Sequence, residues 1–303
     1  MDQLHCLKIF RRAAEAKSFS SIAHEFGLTQ PMVSKRIAWL EAELGVTLLR
    51  RSTRGIQLTP EGEKLYRAGG IAIDELEAVL SSVKNEKLQL IGHLRITASL
   101  AFARLMLGPL LAEFSELHPD LRLHFQLSDG YMDMVENNID IAFRIGSLPD
   151  STLKAIKIGQ SHRKLYASTT YLKKYGTPKS ISDLEKHRCL FYTRLSDIPA
   201  WPLIDDKKKS KIFSFEAHMQ SDASDLIRES LIHGLGIALL PTWMIEDYQD
   251  TKNVRSLLEK YSPLPSPIYA VTSNTRGLTA KQRVVIDYFK KLFDSISSIS
   301  LRT

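Results

Sequence analysis

Apolar residues recur at helical spacing from the start of the chain. Leu4, Leu7, Phe10 and Ala14 follow one another by three, three and four residues, which predicts an amphipathic, core-forming helix over residues 2 to about 17. Ser18 and Ser20 precede Ile22, Ala23 and Phe26, so a hydroxyl cap opens a short helix that Gly27 closes. Thr29 caps a third helix, with Pro31 tolerated in its first turn and Val33, Ile37 and Leu40 on its buried face. Two short helices joined by a tight, glycine-containing turn make a helix-turn-helix.

After Gly45 the period changes. Val46 to Leu49 and Ile56 to Leu58 read as two apolar strands around a basic turn, Arg50, Arg51, Ser52, Thr53, Arg54 and Gly55, and so as a hairpin wing with a cationic tip. Thr59-Pro60, followed by Glu61 and Glu63, is a helix start that suits the positive end of the helix dipole. Leu65, Gly69, Ala72, Leu76, Val79 and Val83 then alternate by four and three, a heptad seam widened by Ile73 and Leu80. A helix of this length cannot bury its seam inside a small winged domain, so it is expected to pair with the same helix of another copy. The reading is a winged helix-turn-helix over 1–59, a dimerising linker helix over 60–88 and a hinge over 89–92 that contains Gly92.

From residue 93 short apolar strands alternate with helices. Leu94 to Ala98, Leu121 to Leu127 and Ile139 to Ile145 are strands, with helices near Phe102 to His118 and Met132 to Asn137. A second such unit runs from Lys164 to Pro241, and Ile268 to Thr272 with a helix from Thr279 to about Ile296 returns to the first sheet. This rhythm predicts mostly parallel, doubly wound α/β structure.

Charge is uneven along the chain. Residues 1–60 carry nine Lys and Arg against five Asp and Glu, and residues 161–212 carry twelve against five. The first zone suits nucleic acid. The second, around Lys207, Lys208 and Lys209, reads as a solvated surface or as a preference for an anionic ligand. Cys6 and Cys189 are far apart and lack the paired spacing of a zinc or redox site. No basic-then-apolar leader and no membrane-length apolar run is evident, so the cytoplasm is expected.

Catalytic chemistry finds no support. The pair Gly234 and Gly236 lacks the third glycine of a dinucleotide fingerprint, and the nine histidines are scattered. No enzyme activity, metal or cofactor is expected.

With these residues in place, the chain resembles the LysR-type transcriptional regulators. Phe19-Ser20-Ser21-Ile22-Ala23, Leu28-Thr29-Gln30-Pro31-Met32-Val33-Ser34-Lys35-Arg36-Ile37, Leu40-Glu41, Leu44 to Arg54 and Leu58-Thr59-Pro60-Glu61-Gly62 match the family signature in register. The likeness continues through Val135 to Gly146, Tyr171-Leu172, Gly176-Thr177-Pro178 and Gly234 to Pro241; Lys17 and Leu49 depart from residues common in the family. The resemblance implies a winged helix-turn-helix (all-α with a β-hairpin wing) and a long linker helix. It also implies an α/β effector domain over 93–303, like a type 2 periplasmic binding protein. Its two subdomains would be I, about 93–163 and 268–303, and II, about 164–267. It further implies a homodimer or dimer of dimers on double-stranded promoter DNA, a small-molecule effector, and RNA polymerase as a candidate partner.

On DNA the third helix is expected in the major groove, with Thr29, Gln30, Pro31, Ser34, Lys35 and Arg36 at its reading end. Arg50, Arg51, Thr53 and Arg54 on the wing suit phosphates or a minor groove. Ser18 and Ser20 suit phosphate at a helix start, with plain capping an equal reading of Ser20. Ligands of open α/β sheets sit beyond the carboxyl ends of strands. That rule selects Ser99, Leu100, Ser128, Asp129 and Arg144 from subdomain I. From subdomain II it selects Tyr166, Ser168, Thr193, Arg194, Ser221 and Asp222, with helix starts near Ser99 and Ser221 offering N–H groups to a carboxylate. Two alternatives stay open: a ligand-binding protein or enzyme in which residues 1–88 serve assembly, and a nonspecific DNA-compacting protein. The polar residues from Gln30 to Arg36 argue against the first, and the modest charge of the first sixty residues against the second.

Overall fold

A computed structural model of the chain describes residues 2–16, 19–52, 55–83, 90, 92–148, 153–205, 209–246, 248, 253–273, 277–296 and 299. It divides into two units, one formed by Met1–Gln89 with Thr279–Lys281 and one formed by Leu90–Leu278 with Gln282–Thr303. Among the described residues no helix is long and apolar enough to cross a membrane.

The first unit holds α1 (Gln3–Ala16), α2 (Phe19–Glu25), α3 (Gln30–Leu44), the hairpin β1 (Leu49–Ser52) and β2 (Gly55–Leu58), and α4 (Pro60–Val83). Its core takes Cys6, Ile9, Phe10 and Ala13 from α1, Ile22 from α2, Val33, Ile37 and Leu40 from α3, and Leu48. The buried stripe of α1 thus runs at i, i+3, i+4 and i+7 from Cys6, and Leu4 and Ala14 lie half-buried beside it. Each large apolar side chain so buried contributes about 1.5–3 kcal/mol.

Polar contacts fix how the wing and α4 leave this core. Gly45 ends α3 at φ +67°, and Val46 N–H reaches back to the Glu41 carbonyl at 3.1 Å. The Glu41 carboxylate accepts the Leu48 and Leu49 N–H groups at 2.7 and 3.1 Å, which pins the approach to the wing onto α3. Thr59 caps α4: its hydroxyl donates to the Thr47 carbonyl at 2.6 Å and accepts the Gly62 N–H at 2.9 Å. A Cβ at Gly62 would stand 2.1 Å from the Leu48 carbonyl oxygen, so only glycine fits there. Leu65 and Tyr66 pack on the core and Ile73 is buried, while Leu76 is 42% exposed. The expected seam is therefore split, its first residue spent on its own unit. Residues 84–88 of the expected linker lie outside the described residues.

The second unit contains two five-stranded sheets. In the first, β3 (Gly92–Thr97), β4 (Leu121–Phe125), β5 (Ile141–Ile145), β6 (Lys154–Ser161) and β14 (Ser266–Thr272) lie in the order β4-β3-β5-β14-β6. In the second, β7 (Arg163–Ser168), β8 (Cys189–Tyr192), β11 (Met219–Ser221), β12 (Ile237–Pro241) and β13 (Val254–Leu257) lie in the order β11-β8-β12-β7-β13. The hairpin β9 (Ala200–Ile204) and β10 (Ser210–Ser214) stands apart from both. Gly92, expected in the hinge, is the first residue of β3 and donates its N–H to the Asp120 carbonyl at 3.1 Å.

The sheets are not simply parallel. β14 runs antiparallel to β5 and β6, and β7 runs antiparallel to β12 and β13, while the other strands of each sheet share one direction. In each sheet the reversed strand is the one that has just crossed from the other sheet: β7 follows β6, and β14 follows β13. Helix α5 (Leu100–Phe102) continues through a π-helical turn (Ala103–Leu107) into α6 (Gly108–Leu117); α7 (Thr169–Tyr175), α8 (Ser224–Ile232) and α9 (Ala280–Phe293) complete the unit. The helix expected over Met132 to Asn137 is instead a run of turns, closed by Asn138 at φ +54°. Asp133 accepts the N–H groups of Val135 and Glu136 there, a local alternative to helix propagation.

Candidate functional site

In the first unit the helix-turn-helix turns at Gly27 (φ +61°), after which Leu28 N–H binds the Ala23 carbonyl at 2.8 Å. Thr29 occupies the N-cap position of α3 in extended conformation and makes no side-chain cap bond. Thr29, Gln30, Pro31, Met32 and Lys35 are exposed and Ser34 is half-buried. Arg36 departs from this group: helical geometry sets it about 160° around α3 from Ser34. It faces α1, where its field, second to burial, lowers the His5 imidazole below its ordinary value. Ser20 is the second residue of α2 and exposed, inside the helix rather than before it, which removes its cap reading. Ser18 lies outside the described residues.

On the wing, β1 extends through Ser52, with Arg50 opposite Gln57 and Arg51 opposite Ile56. The two arginines therefore sit in a strand rather than in the turn. Arg50 is exposed. Thr53 and Arg54 lie outside the described residues.

In the second unit a cavity of about 340 Å³ opens at the carboxyl ends of the co-directional strands of both sheets. Of the residues selected from the sequence, Ser99, Ser128, Asp129, Arg144 and Arg194 line it. The others do not. Leu100 offers only its N–H, and the Asp129 carboxylate takes that at 3.0 Å, so this helix start is already occupied. Thr193 N–H pairs with the Ser221 carbonyl at 2.9 Å, and the Ser221 hydroxyl accepts the Ala223 N–H at 3.0 Å, so both serve the chain before α8. Asp222 stands behind the lining as the partner of Arg194, at 3.2 Å.

Tyr166 and Ser168 are misplaced for one reason. Both lie towards the carboxyl end of β7, the reversed strand of its sheet, so they point away from the cavity. Tyr166 is fully buried, and the Ser168 hydroxyl caps α7 by accepting the Tyr171 N–H at 3.2 Å. The same reversal brings the first residue of β7, Arg163, to the cavity beside Pro241. The signal for it was present: Ala155 to Ser168 runs without room for a helix, so β6 and β7 cannot be neighbours in a parallel crossover. Tyr192, Ser147, Ser224 and the apolar floor of Phe143, Leu239, Trp243 and Met244 were likewise unselected.

Two of the three guanidiniums in the cavity wall, those of Arg144 and Arg163, are bonded to neutral groups. Arg144 donates to the carbonyls of Gly130 and Met132 at 3.2 and 3.3 Å and lies 5.5 Å from the Tyr131 ring centre. Arg163 donates to the Ser266 hydroxyl at 2.7 Å, across to the first residue of β14. Burial lowers the pKa of each, which marks a cation held out of water.

Residues 4–63 match the family model described as bacterial regulatory helix-turn-helix protein, lysR family, and residues 88–294 match that of the LysR substrate binding domain. The chain belongs to the LysR family.

CrgA, an HTH-type transcriptional regulator of Neisseria meningitidis serogroup C, is 30% identical over 283 residues, 93% of this chain and 94% of CrgA. The solved structure of CrgA from Neisseria meningitidis superposes with a TM-score of 0.62 at 29% identity, covering 95% of this chain and 98% of that one. Full-length AphB, a virulence activator of Vibrio cholerae, gives 0.59 at 27% identity, covering 94% and 98%. As a LysR-type regulator, the chain is a sequence-specific DNA-binding transcriptional regulator controlled by a small-molecule effector bound in its C-terminal domain, and not an enzyme.

Burial, with Asp129 second, pushes the Tyr192 hydroxyl up to about 12, so it stays protonated and able to donate a hydrogen bond. Burial also pushes the Cys189 thiol up to about 12.

Proposed function

We propose that this regulator reads its promoter with the exposed amino-terminal end of α3 in the major groove. Gln30, Ser34 and Lys35 reach base edges there, and Thr29 and Pro31 stand at the groove entrance. Arg50, Arg51, Thr53 and Arg54 hold phosphates or an adjacent minor groove from the wing, and Ser18 and Ser20 approach the backbone at the start of α2. Arg36 acts from the flank, steadying α3 on α1 as much as contacting DNA. Two copies pair along α4, with Leu76 on the shared face, and pairs of dimers engage an interrupted dyad. The protein works in the cytoplasm, with RNA polymerase as its partner at the promoter. The boundaries that serve this arrangement are 1–59, 60–88, 89–92 and 93–303, with the cleft between subdomains I and II as the effector site.

The observation that supports this reading best is the uncapped, exposed start of α3, where long polar side chains converge on one surface. For the effector, the support is a cavity in which two half-buried guanidiniums, Arg144 and Arg163, have only neutral partners among the described residues, which favours an anionic ligand. The test is a gel-shift titration with the intergenic DNA upstream of the protein's own gene against scrambled competitor. Retarded bands that survive the competitor are expected. Equal binding to both DNAs, with and without cell extract as a source of effector, would point to a nonspecific binder or an assembly role instead.

A further inference from the structure

Resting on the reading of the cavity as the effector site, we propose that the effector is a small dicarboxylate whose two carboxylates are taken separately, one by Arg144 and one by Arg163. The two cations rise from different sheets, Arg144 from β5 and Arg163 from the start of the reversed strand β7. A guanidinium offers about five N–H donors. Two of those on Arg144 go to backbone carbonyls and one on Arg163 goes to a hydroxyl, so each keeps an unused edge. No carboxylate among the described residues forms an ion pair with either. Arg194 differs, since Asp222 already supplies its counter-charge at 3.2 Å. Asp129, the one acidic residue of the lining among the described residues, accepts the Leu100 N–H and forms no ion pair with Arg144 or Arg163.

Charge matching decides the number of anionic groups. One carboxylate fills one guanidinium fork bidentately and leaves the second, half-buried cation without a counter-ion among the described residues, an unfavourable arrangement in a partly dry cleft. A second carboxylate on the same molecule matches it. The cavity, about 340 Å³, lies near the floor of ligand-pocket sizes, which favours a short chain between the two groups over a large scaffold. Because Arg163 is also bonded to Ser266, the second carboxylate lands where both crossover strands meet.

Isothermal titration of the full chain with malonate, succinate, glutarate and adipate, against butyrate and succinamate as singly charged counterparts, tests this. The best diacid is expected to bind at least about 30-fold more tightly than either singly charged compound, the order of one charge-assisted contact. In Arg144→Gln and in Arg163→Gln that preference should fall below about threefold. The comparison of diacids with monoacids on the unaltered chain needs no variant to fold. Equal affinity for diacids and monoacids would overturn the two-carboxylate proposal and leave the anionic cleft standing. Failure of every carboxylate to bind, with promoter binding intact, would overturn both.

Discussion

In the first unit Thr29, Gln30, Pro31 and Lys35, the candidate DNA-reading residues at the start of α3, are exposed and stand outside the core. In the second unit the candidate ligand-contacting cations are half-buried, and one of them is tied to a strand a hundred residues away in sequence, through the Arg163 to Ser266 bond. The difference teaches where function and stability separate. On α3 a side chain can be removed with little cost to the fold, because Val33, Ile37 and Leu40 carry the packing from the opposite face. In the cleft Arg163 is both a candidate ligand contact and part of the joint between the two sheets.

The comparison breaks most visibly at the backbone that positions each surface. Gly62→Ala forces a Cβ against the Leu48 carbonyl and is expected to cost about 2–4 kcal/mol. Thermal unfolding followed together with promoter binding and ligand titration should show lost DNA binding and unchanged ligand affinity. A comparable loss of ligand affinity would deny that the units hold their functions independently. Next in size is Glu41→Ala, which strips two N–H groups at Leu48 and Leu49 of their acceptor. A loss of about 1–3 kcal/mol in urea denaturation and a weakened wing contribution to DNA binding are expected.

Lys35→Ala sharpens the contrast from the other side. Stability should stay within about 0.5 kcal/mol, while promoter affinity falls and the salt dependence of binding flattens if the ammonium meets a phosphate. A drop in melting temperature without a change in DNA binding would assign Lys35 to the fold. The smallest effect belongs to the exposed pair Arg104–Asp225, 2.6 Å apart, which joins the π-helical turn to the start of α8. Asp225→Asn should change stability by no more than about 1 kcal/mol. Thiol labelling supplies a readout for both units, because Cys6 and Cys189 are each buried in the core of one. With burial raising both thiols, labelling at pH 8 should proceed only as fast as each unit opens. Rapid modification of Cys189 in the native protein would contradict its packing.

The unequal legibility of the two regions follows from the range of the interactions that build them. Helices, caps and the wing depend on residues a few positions apart, and so Gly27, Pro31, Gly45 and Thr59 each mark a feature that stands where their chemistry requires. Where the reading slipped, at Arg36, Arg50 and Arg51, the error was one of face or strand extent. The cleft depends on strand direction, which no local pattern encodes. The carboxyl-end rule points to Tyr166 and Ser168 and passes over Arg163, because it assumes that β7 runs with its neighbours. A single reversed strand exchanged one end of the element for the other. Residues on forward strands, such as Ser128, Asp129 and Arg144, were unaffected.

The returning strand also sets a timetable for synthesis. β14 fills the gap between β5 and β6, yet it leaves the ribosome more than a hundred residues after β6 does. At ordinary elongation rates that is a delay of roughly 5–20 s, during which the facing edges of β5 and β6 have no partner. The second sheet has all five of its strands before β14 emerges. A nascent chain of this regulator therefore carries an open, apolar seam beside a finished lobe, and that interval is when a chaperone has the most to protect.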